Sequence, residues 1–411
     1  PDTPVAKARR WRARILKSLA RNYQGYLDRQ QGRYLEAVRH YQESAMLQRR
    51  LGMSALAPTL TNLAYALALI GQAHHARLLD GEAERLARRS GKEHMLALTL
   101  NVRALVEEYD SHHKAALRYT DRALEVATRL PTPRVPGLIY LTRARAHRYL
   151  LDSFSAAERE RDSASFEETL KEANLAVNLL RNAPADRVEA LLERGCVYRD
   201  LARAHYQQNG QAEARELFEK SQKDLERVAI LAGIMDQPRQ QALAWTNLGW
   251  LYYYSGWSDA VDGMLDKAFD AFPEEYRFPA QGPLPAMAEG KQKREATLPY
   301  WSTLGKAEML RGFLALDAAR EANDRREAEA QVRRAVKHIT LSLAYDELVA
   351  DAYFDLQRAE EGLHKRILQD NLSIKALHQY AAHFAAEQEL DRPTRFQQFL
   401  DRMFGPADLW T

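Results

Sequence analysis

Few side chains in this chain are able to do chemistry, and their spacing fails one reaction class after another. Cys196 is the single cysteine, so an internal disulfide framework and a cysteine-rich zinc or iron-sulfur site are excluded. In the run Arg194-Gly-Cys-Val-Tyr198 it reads as a buried small hydrophobe rather than a nucleophile. His74-His75 and His112-His113 fall 38 residues apart at equivalent turns, but no Asp, Glu or Cys at ligand spacing completes a tetrahedron around them. His378 and His383 are five apart, a poor spacing for one helical face. The carboxylate pairs Glu107-Glu108, Glu274-Glu275 and Glu360-Glu361 are adjacent, so on a helix they diverge and cannot share a proton. The Gly-Lys pairs at Gly91, Gly290 and Gly305 lack the upstream glycine and the following Ser or Thr of a phosphate-cradling loop. Dinucleotide-fold, zinc-protease and serine-hydrolase signatures are absent as well. The expectation is a chain that binds rather than catalyses, with no cofactor and no metal.

The elements that must position its binding residues are helices. Of 411 residues, 46% are hydrophobic and 28% charged, with only 19 glycines and 15 prolines. Ala, Leu, Glu, Arg and Gln dominate while Val, Ile and Thr are sparse, and no stretch keeps a period of two. No uncharged run is long enough to span a bilayer, and the opening residues lack the apolar core of a secretory signal, so no membrane role is expected. Together with the lone cysteine, this suits a cytoplasmic location. Net charge is only +3, yet residues 1–150 carry 26 Lys and Arg against 13 Asp and Glu, while residues 151–411 carry 33 against 43. The chain begins at Pro1 rather than methionine, which reads as a piece of a longer polypeptide with a domain upstream.

Internal repetition organises these helices. In residues 19–45, Gly25 lies mid-helix, Gly32 closes the helix, and Ala37, Tyr41 and Ser44 share one face of a second helix. The pattern returns at residues 61–71, with Gly71 lying 39 residues after Gly32, and again with Ala104, Ser111, Ala116 and Ala123. A fourth copy begins near Gly137 and carries an insertion before its second helix, expected over about 166–180. A fifth, around Gly195, reaches its second-helix serine, Ser221, 26 residues on, which makes a longer hairpin. The clearest copy is Trp245, Leu248, Gly249, Tyr252, Ala268 and Pro273. Trp, Leu and Tyr at i, i+3 and i+7 form one apolar face, and Gly249 and Ala268 allow two helices to approach closely. Trp301, Leu304 and Gly305 open a seventh copy, and helices near 347–369, 374–389 and 394–403 read as a cap.

With these motifs the chain resembles the tetratricopeptide repeat family over most of residues 10–390. The fold this implies is all-α, a right-handed superhelical solenoid of helical hairpins, longer in its second half. The divisions expected are N-terminal repeats at 1–130, middle repeats at 131–272 with an insertion at 151–165, a proline-rich irregular segment at 273–299, long hairpins at 300–390 and a cap at 391–411. The resemblance implies a ligand on the concave side, where first helices line up. Projected onto this sequence, that side carries Asn22, Tyr23, Tyr26 and Arg29; Thr61, Asn62 and Tyr65; Asn101, Leu105 and Glu108; Arg145 and Arg148; and Thr246, Asn247, Trp250, Tyr253 and Tyr254. Amides pair with extended backbone and aromatic rings supply rigid contact area, so a protein or peptide ligand is expected. The competing reading makes these Tyr and Trp interhelical packing. The carboxylate-clamp subtype is disfavoured, since Asn22 and Leu98 stand where it needs basic residues and only Asn62 matches.

The long repeats, with Arg29-Gln-Gln-Gly-Arg-Tyr-Leu-Glu-Ala37 and Leu341-Ser-Leu-Ala-Tyr-Asp-Glu-Leu348, also resemble the C-terminal sensor arrays of bacterial STAND-type ATPases. That resemblance implies a trigger-sensing domain of a larger signalling or defence protein. The alternatives are a free-standing scaffold or adaptor and, third, nucleic-acid binding through the basic first third. There Arg9, Arg10, Arg12, Arg14 and Lys17 cluster near Trp11, but no base-reading pairs recur per repeat.

Overall fold

The structure is a computed structural model that describes residues 3–152, 163–207, 211–272, 291–348, 360, 363–368, 372–387 and 393–410. The described residues divide into two compact units, Pro1–Gln241 and Ala242–Thr411. In the first unit, helices α1 (Pro4–Gln30), α2 (Tyr34–Arg50), α3 (Leu56–Leu69), α4 (Ala73–Ser90), α5 (Glu93–Tyr109) and α6 (His113–Ala127) run in succession. They are followed by α7 (Arg134–Asp152), α8 (Ser163–Leu179), α9 (Pro184–Gln207) and α10 (Gln211–Ile234). Helix α11 (Pro238–Tyr254) crosses the division. In the second unit lie α12 (Ser258–Asp270), α13 (Lys291–Glu321), α14 (Arg325–Leu348), α15 (Ile374–Glu387) and α16 (Arg395–Phe404). The insertion expected at 151–165 falls mainly on 153–162, and the first part of the proline-rich segment on 273–290, both outside the described residues. Residues 291–299, expected to be irregular, are the first turns of α13, where Lys, Glu, Ala and Leu outvote a single proline.

Each first-unit helix packs on the next, forming the hairpins α1–α2, α3–α4, α5–α6, α7–α8 and α9–α10. First helices also pack on one another, α1 on α3, α3 on α5, α5 on α7 and α7 on α9. This is a solenoid of tetratricopeptide-like helical pairs, with an inner layer of first helices and an outer layer of second helices. Small residues set the spacing. Ala37, Ala64, Ala76, Ala83, Ala104 and Ala116 are all fully buried between helices. A Cβ on Gly195 would lie 2.9 Å from the buried Leu225 side chain, so the α9–α10 hairpin is closed to a depth only glycine permits. A serine on the second helix recurs as a clasp: Ser44 Oγ donates to the Ser18 carbonyl at 2.7 Å and Ser221 Oγ to the Gly195 carbonyl at 2.8 Å. In the second unit Ser342 Oγ donates to the Gly305 carbonyl at 2.7 Å.

The hairpin turns share one backbone device. Gly32, Gly71 and Gly256 end their first helices at φ of 79°, 77° and 80°, and Ser111 occupies the same left-handed place at 61°. Helix α1 starts with Thr3 accepting from the Ala6 amide at 3.2 Å, and α16 with a capping box between Thr394 and Gln397. In the second unit, Tyr252, Val261, Leu265, Ala307 and Leu310 join α11, α12 and α13 in one core. Phe396, Phe399 and Leu400 of α16 close another core against α14 and α15.

Candidate binding site on the concave face of the first unit

The inner layer of the first unit brings charged and phenolic side chains from six first helices into one neighbourhood. Two hydrogen bonds bring its ends together: Gln31 Nε2 donates to Asp236 Oδ2 at 3.3 Å, and Gln237 Nε2 donates to Gln30 Oε1 at 3.3 Å. The turn after α10 therefore meets the turn after α1.

Arg29, in the last turn of α1, has a position favoured by the negative end of that helix. Its guanidinium stands 4.7 Å from the Tyr65 ring centroid on α3 and 5.5 Å from that of Tyr26. Arg145 on α7 reaches three carboxyls, Glu108 of α5 at 3.7 Å and Glu189 and Glu193 of α9 at 3.7 and 3.6 Å. Arg148, one turn on, grips Glu193 through Nε at 2.5 Å and Nη2 at 3.2 Å in a buried, two-pronged pair. Arg239, in the first turn of α11, lies against Tyr34 of α2 and near Tyr109 of α5 and Tyr65.

Enclosure shapes the titration of these groups. Burial pushes Glu108 up to about 7 despite the pull of Arg145. Burial acts against the Glu193 charge too, but Arg148 and Arg145 outweigh it and hold this carboxyl below its ordinary value. Tyr34, Tyr65 and Tyr109 are raised chiefly by burial, so their hydroxyls stay protonated and able to donate. The buried Nε atoms of Arg29 and Arg239 and Oε2 of Glu108 have no hydrogen-bond partner among the described residues.

Of the residues expected on the concave side, Arg29, Tyr65, Glu108, Arg145 and Arg148 come together here, with Tyr26 beside Arg29. Tyr23 is 65% exposed, its ring stacked 6.3 Å from that of Tyr26. Asn22 and Asn101 each hold a buried amide oxygen with no partner among the described residues, and Asn62 is half-buried on α3. Leu105 is buried in the core. Thr61 is a packing residue: its hydroxyl bonds the Ala57 carbonyl and lies 3.0 Å from that of Thr99, tying α3 to α5. In the second unit, Thr246 is buried and Asn247 Nδ2 donates to the Leu243 carbonyl at 2.7 Å. Trp250 packs edge-on against Phe313 at 6.0 Å and beside Tyr253 and Tyr254. Tyr253 donates to Asp317 at 2.8 Å and accepts from Arg366 at 3.2 Å.

The sequence projection missed Tyr34, Tyr109, Glu189, Glu193 and Arg239. Glu189 and Glu193 are one turn apart on α9, a spacing that marks a shared face. Tyr34 stands on a second helix and Arg239 arrives only through closure of the unit, and neither leaves a mark in the repeat pattern.

Other reactive groups are already engaged. Cys196 is buried, and burial pushes its thiol up. His112 lies 3.3 Å from Glu107, but Arg77 holds Glu107 at 2.8 Å and also pairs with Asp110. Among the described residues no three His, Cys, Asp or Glu side chains group as a metal would require, and no helix is long and apolar enough to cross a membrane. Arg9, Arg10, Arg12, Arg14 and Lys17 are exposed along α1.

No protein-family model and no curated protein matches the chain. Among solved structures it is similar to BtubC (BKLC) from P. vanneervenii, at 16% identity over 63% of this chain and 96% of that one, with a TM-score of 0.39. A circular tandem repeat protein matches at 14% identity over 97% of both chains with a TM-score of 0.25. Yeast Tom70 matches at 13% identity over 95% of this chain and 96% of that one with a TM-score of 0.21.

Proposed function

We propose that the chain is a recognition array without catalysis, whose concave face holds a peptide segment of a partner protein. The observation that supports this most is the meeting of Arg29, Tyr65, Glu108 and Arg145 from four successive first helices, with polar atoms left unpartnered in an enclosed setting. Tyr and Arg are the residue types that dominate binding energy at protein contacts; an unpaired guanidinium N–H gains a partner from a peptide carbonyl, and the unpaired amide oxygens of Asn22 and Asn101 gain one from a peptide N–H. Asn22, Tyr23, Tyr26, Asn62 and Asn101 extend this face. Trp250, Tyr253, Tyr254 and Asn247 are proposed as contact residues of the second unit.

The test is a random-peptide display selection against the full chain. Enriched peptides that bind the wild type and lose at least about tenfold in affinity with Tyr65→Ala, at unchanged helical circular dichroism, support the reading. No enrichment, or equal binding by the variant, overturns it. The finer reading, of a sensor array in a cytoplasmic bacterial STAND-type ATPase, rests on motif likeness alone. A nucleotide-binding domain in the native polypeptide would support it, and a native chain without one would leave a scaffold or adaptor.

A further inference from the structure

The carboxyls of the concave face do not neutralise its guanidiniums evenly. Arg148 has Glu193 in a close two-pronged pair, and Arg145 stands within 3.7 Å of Glu108, Glu189 and Glu193. All three carboxyls are thus drawn to the α7–α9 side. Glu108 is pushed up to about 7, so near neutral pH it supplies only part of a charge. On the other side, Arg29 and Arg239 both lie near Tyr65 and Tyr34, and the carboxyl both feel is Glu189, which is already beside Arg145. Neither has a carboxylate at ion-pair distance among the described residues. Two guanidiniums near the same pair of tyrosines, in an enclosed setting of reduced dielectric, leave a positive potential that phenol hydroxyls cannot cancel.

We propose that Arg29 and Arg239 form an anion-binding subsite that receives a carboxylate or phosphate, with Tyr34 and Tyr65 as neutral hydroxyl donors beside it. This rests on the peptide reading above and deepens it, since the anion is the group the bound segment would present. Guanidinium suits both anions because its fixed fork offers two parallel donors. Arg29 comes from the end of α1 and Arg239 from the start of α11, so an anion between them would also brace the contact made by Gln30 and Gln237.

The probes are inorganic pyrophosphate and tricarballylate, titrated calorimetrically into the full chain at constant ionic strength. The expected result is saturable binding of at least one of them at a single site, with a raised melting temperature. Preference for one probe tells phosphate from carboxylate. Arg29→Gln and Arg239→Gln should each weaken that binding by about tenfold or more, the loss of a charge-assisted pair, while Arg12→Gln on the exposed face of α1 leaves it unchanged. If either glutamine variant loses helical signal, Arg29→Lys and Arg239→Lys replace it; keeping the charge but not the fork, they should bind more weakly than wild type. Absence of saturable binding by both probes overturns the proposal, as does equal weakening by Arg12→Gln or full retention in the Arg29 and Arg239 variants. Anion binding without selected peptides would sink the peptide reading alone. Selected peptides lacking any acidic residue, and indifferent to Arg29 and Arg239, would sink the subsite alone.

Discussion

Asp80 on α4 is 1% exposed, and neither of its carboxyl oxygens has a hydrogen-bond partner among the described residues. The cation that acts on it, Arg103, is committed elsewhere, donating to Glu107 at 2.9 Å and to the Arg77 carbonyl at 3.1 Å, while Glu84 and Glu107 add like charge. Burial therefore pushes Asp80 from its ordinary 3.8 up to about 8. A raised carboxyl pKa favours the protonated folded state. The stability associated with this group is fully present below about pH 4, falls as pH rises, and levels off above about pH 8. Each pH unit across that window costs about 1.4 kcal/mol, about 6 kcal/mol in all. Asp80→Asn removes the titration while keeping the shape. The variant should gain on the wild type by about 1.4 kcal/mol per unit between pH 5 and 8, whatever the constant offset of burying an amide. Urea denaturation of both proteins at pH 5, 6.5 and 8, followed by circular dichroism, reads the difference. A gap that stays constant with pH would refute the reasoning, because it would mean that Asp80 ionises in the folded protein as readily as in the unfolded chain.

Three further outcomes are expected. Ser111→Gly, which relieves a left-handed backbone at φ of 61°, should raise stability by about 1 kcal/mol, seen as a higher melting temperature. Glu108 loses its charge as pH falls through about 7, so from pH 8 to pH 6 anion binding by the wild type should tighten relative to Glu108→Gln, which shares the probe's own titration but lacks this group, as calorimetry at the two pH values would show. Tyr253→Phe removes a donor to Asp317 and an acceptor from Arg366 and should destabilise the second unit by about 1–2 kcal/mol, measured by urea denaturation.

The fold was legible wherever a residue type answers to a single packing demand. Gly195 and Ser221 stand 26 apart in the sequence because a serine hydroxyl on α10 must meet the Gly195 carbonyl on α9, and no larger residue fits beneath Leu225. Ser111 could be aligned with Gly32 and Gly71 from spacing, although only backbone geometry reveals the strain it bears. Helix α13 starts earlier than expected because four of the five prolines of 273–299 precede residue 291, and only Pro299 falls among the helix formers of its first turns. On the concave face, the surface implied by the repeat resemblance included Arg29, Tyr65, Glu108 and Arg145. It also included Thr61, whose hydroxyl is spent on Thr99, because a repeat pattern cannot tell a side chain facing the next helix from one facing a ligand. Arg239 and Tyr34 meet through long-range closure of the first unit, which local sequence does not encode in any one repeat.

Recognition on the concave face of the first unit can be read by hydrogen exchange on the full chain, with and without a peptide from the display selection. Peptide bound there should add protection along the first helices α1, α3, α5, α7 and α9 and at the start of α11, with the second helices α4 and α6 unchanged. Protection confined to α4 and α6, or to the second unit, would contradict it.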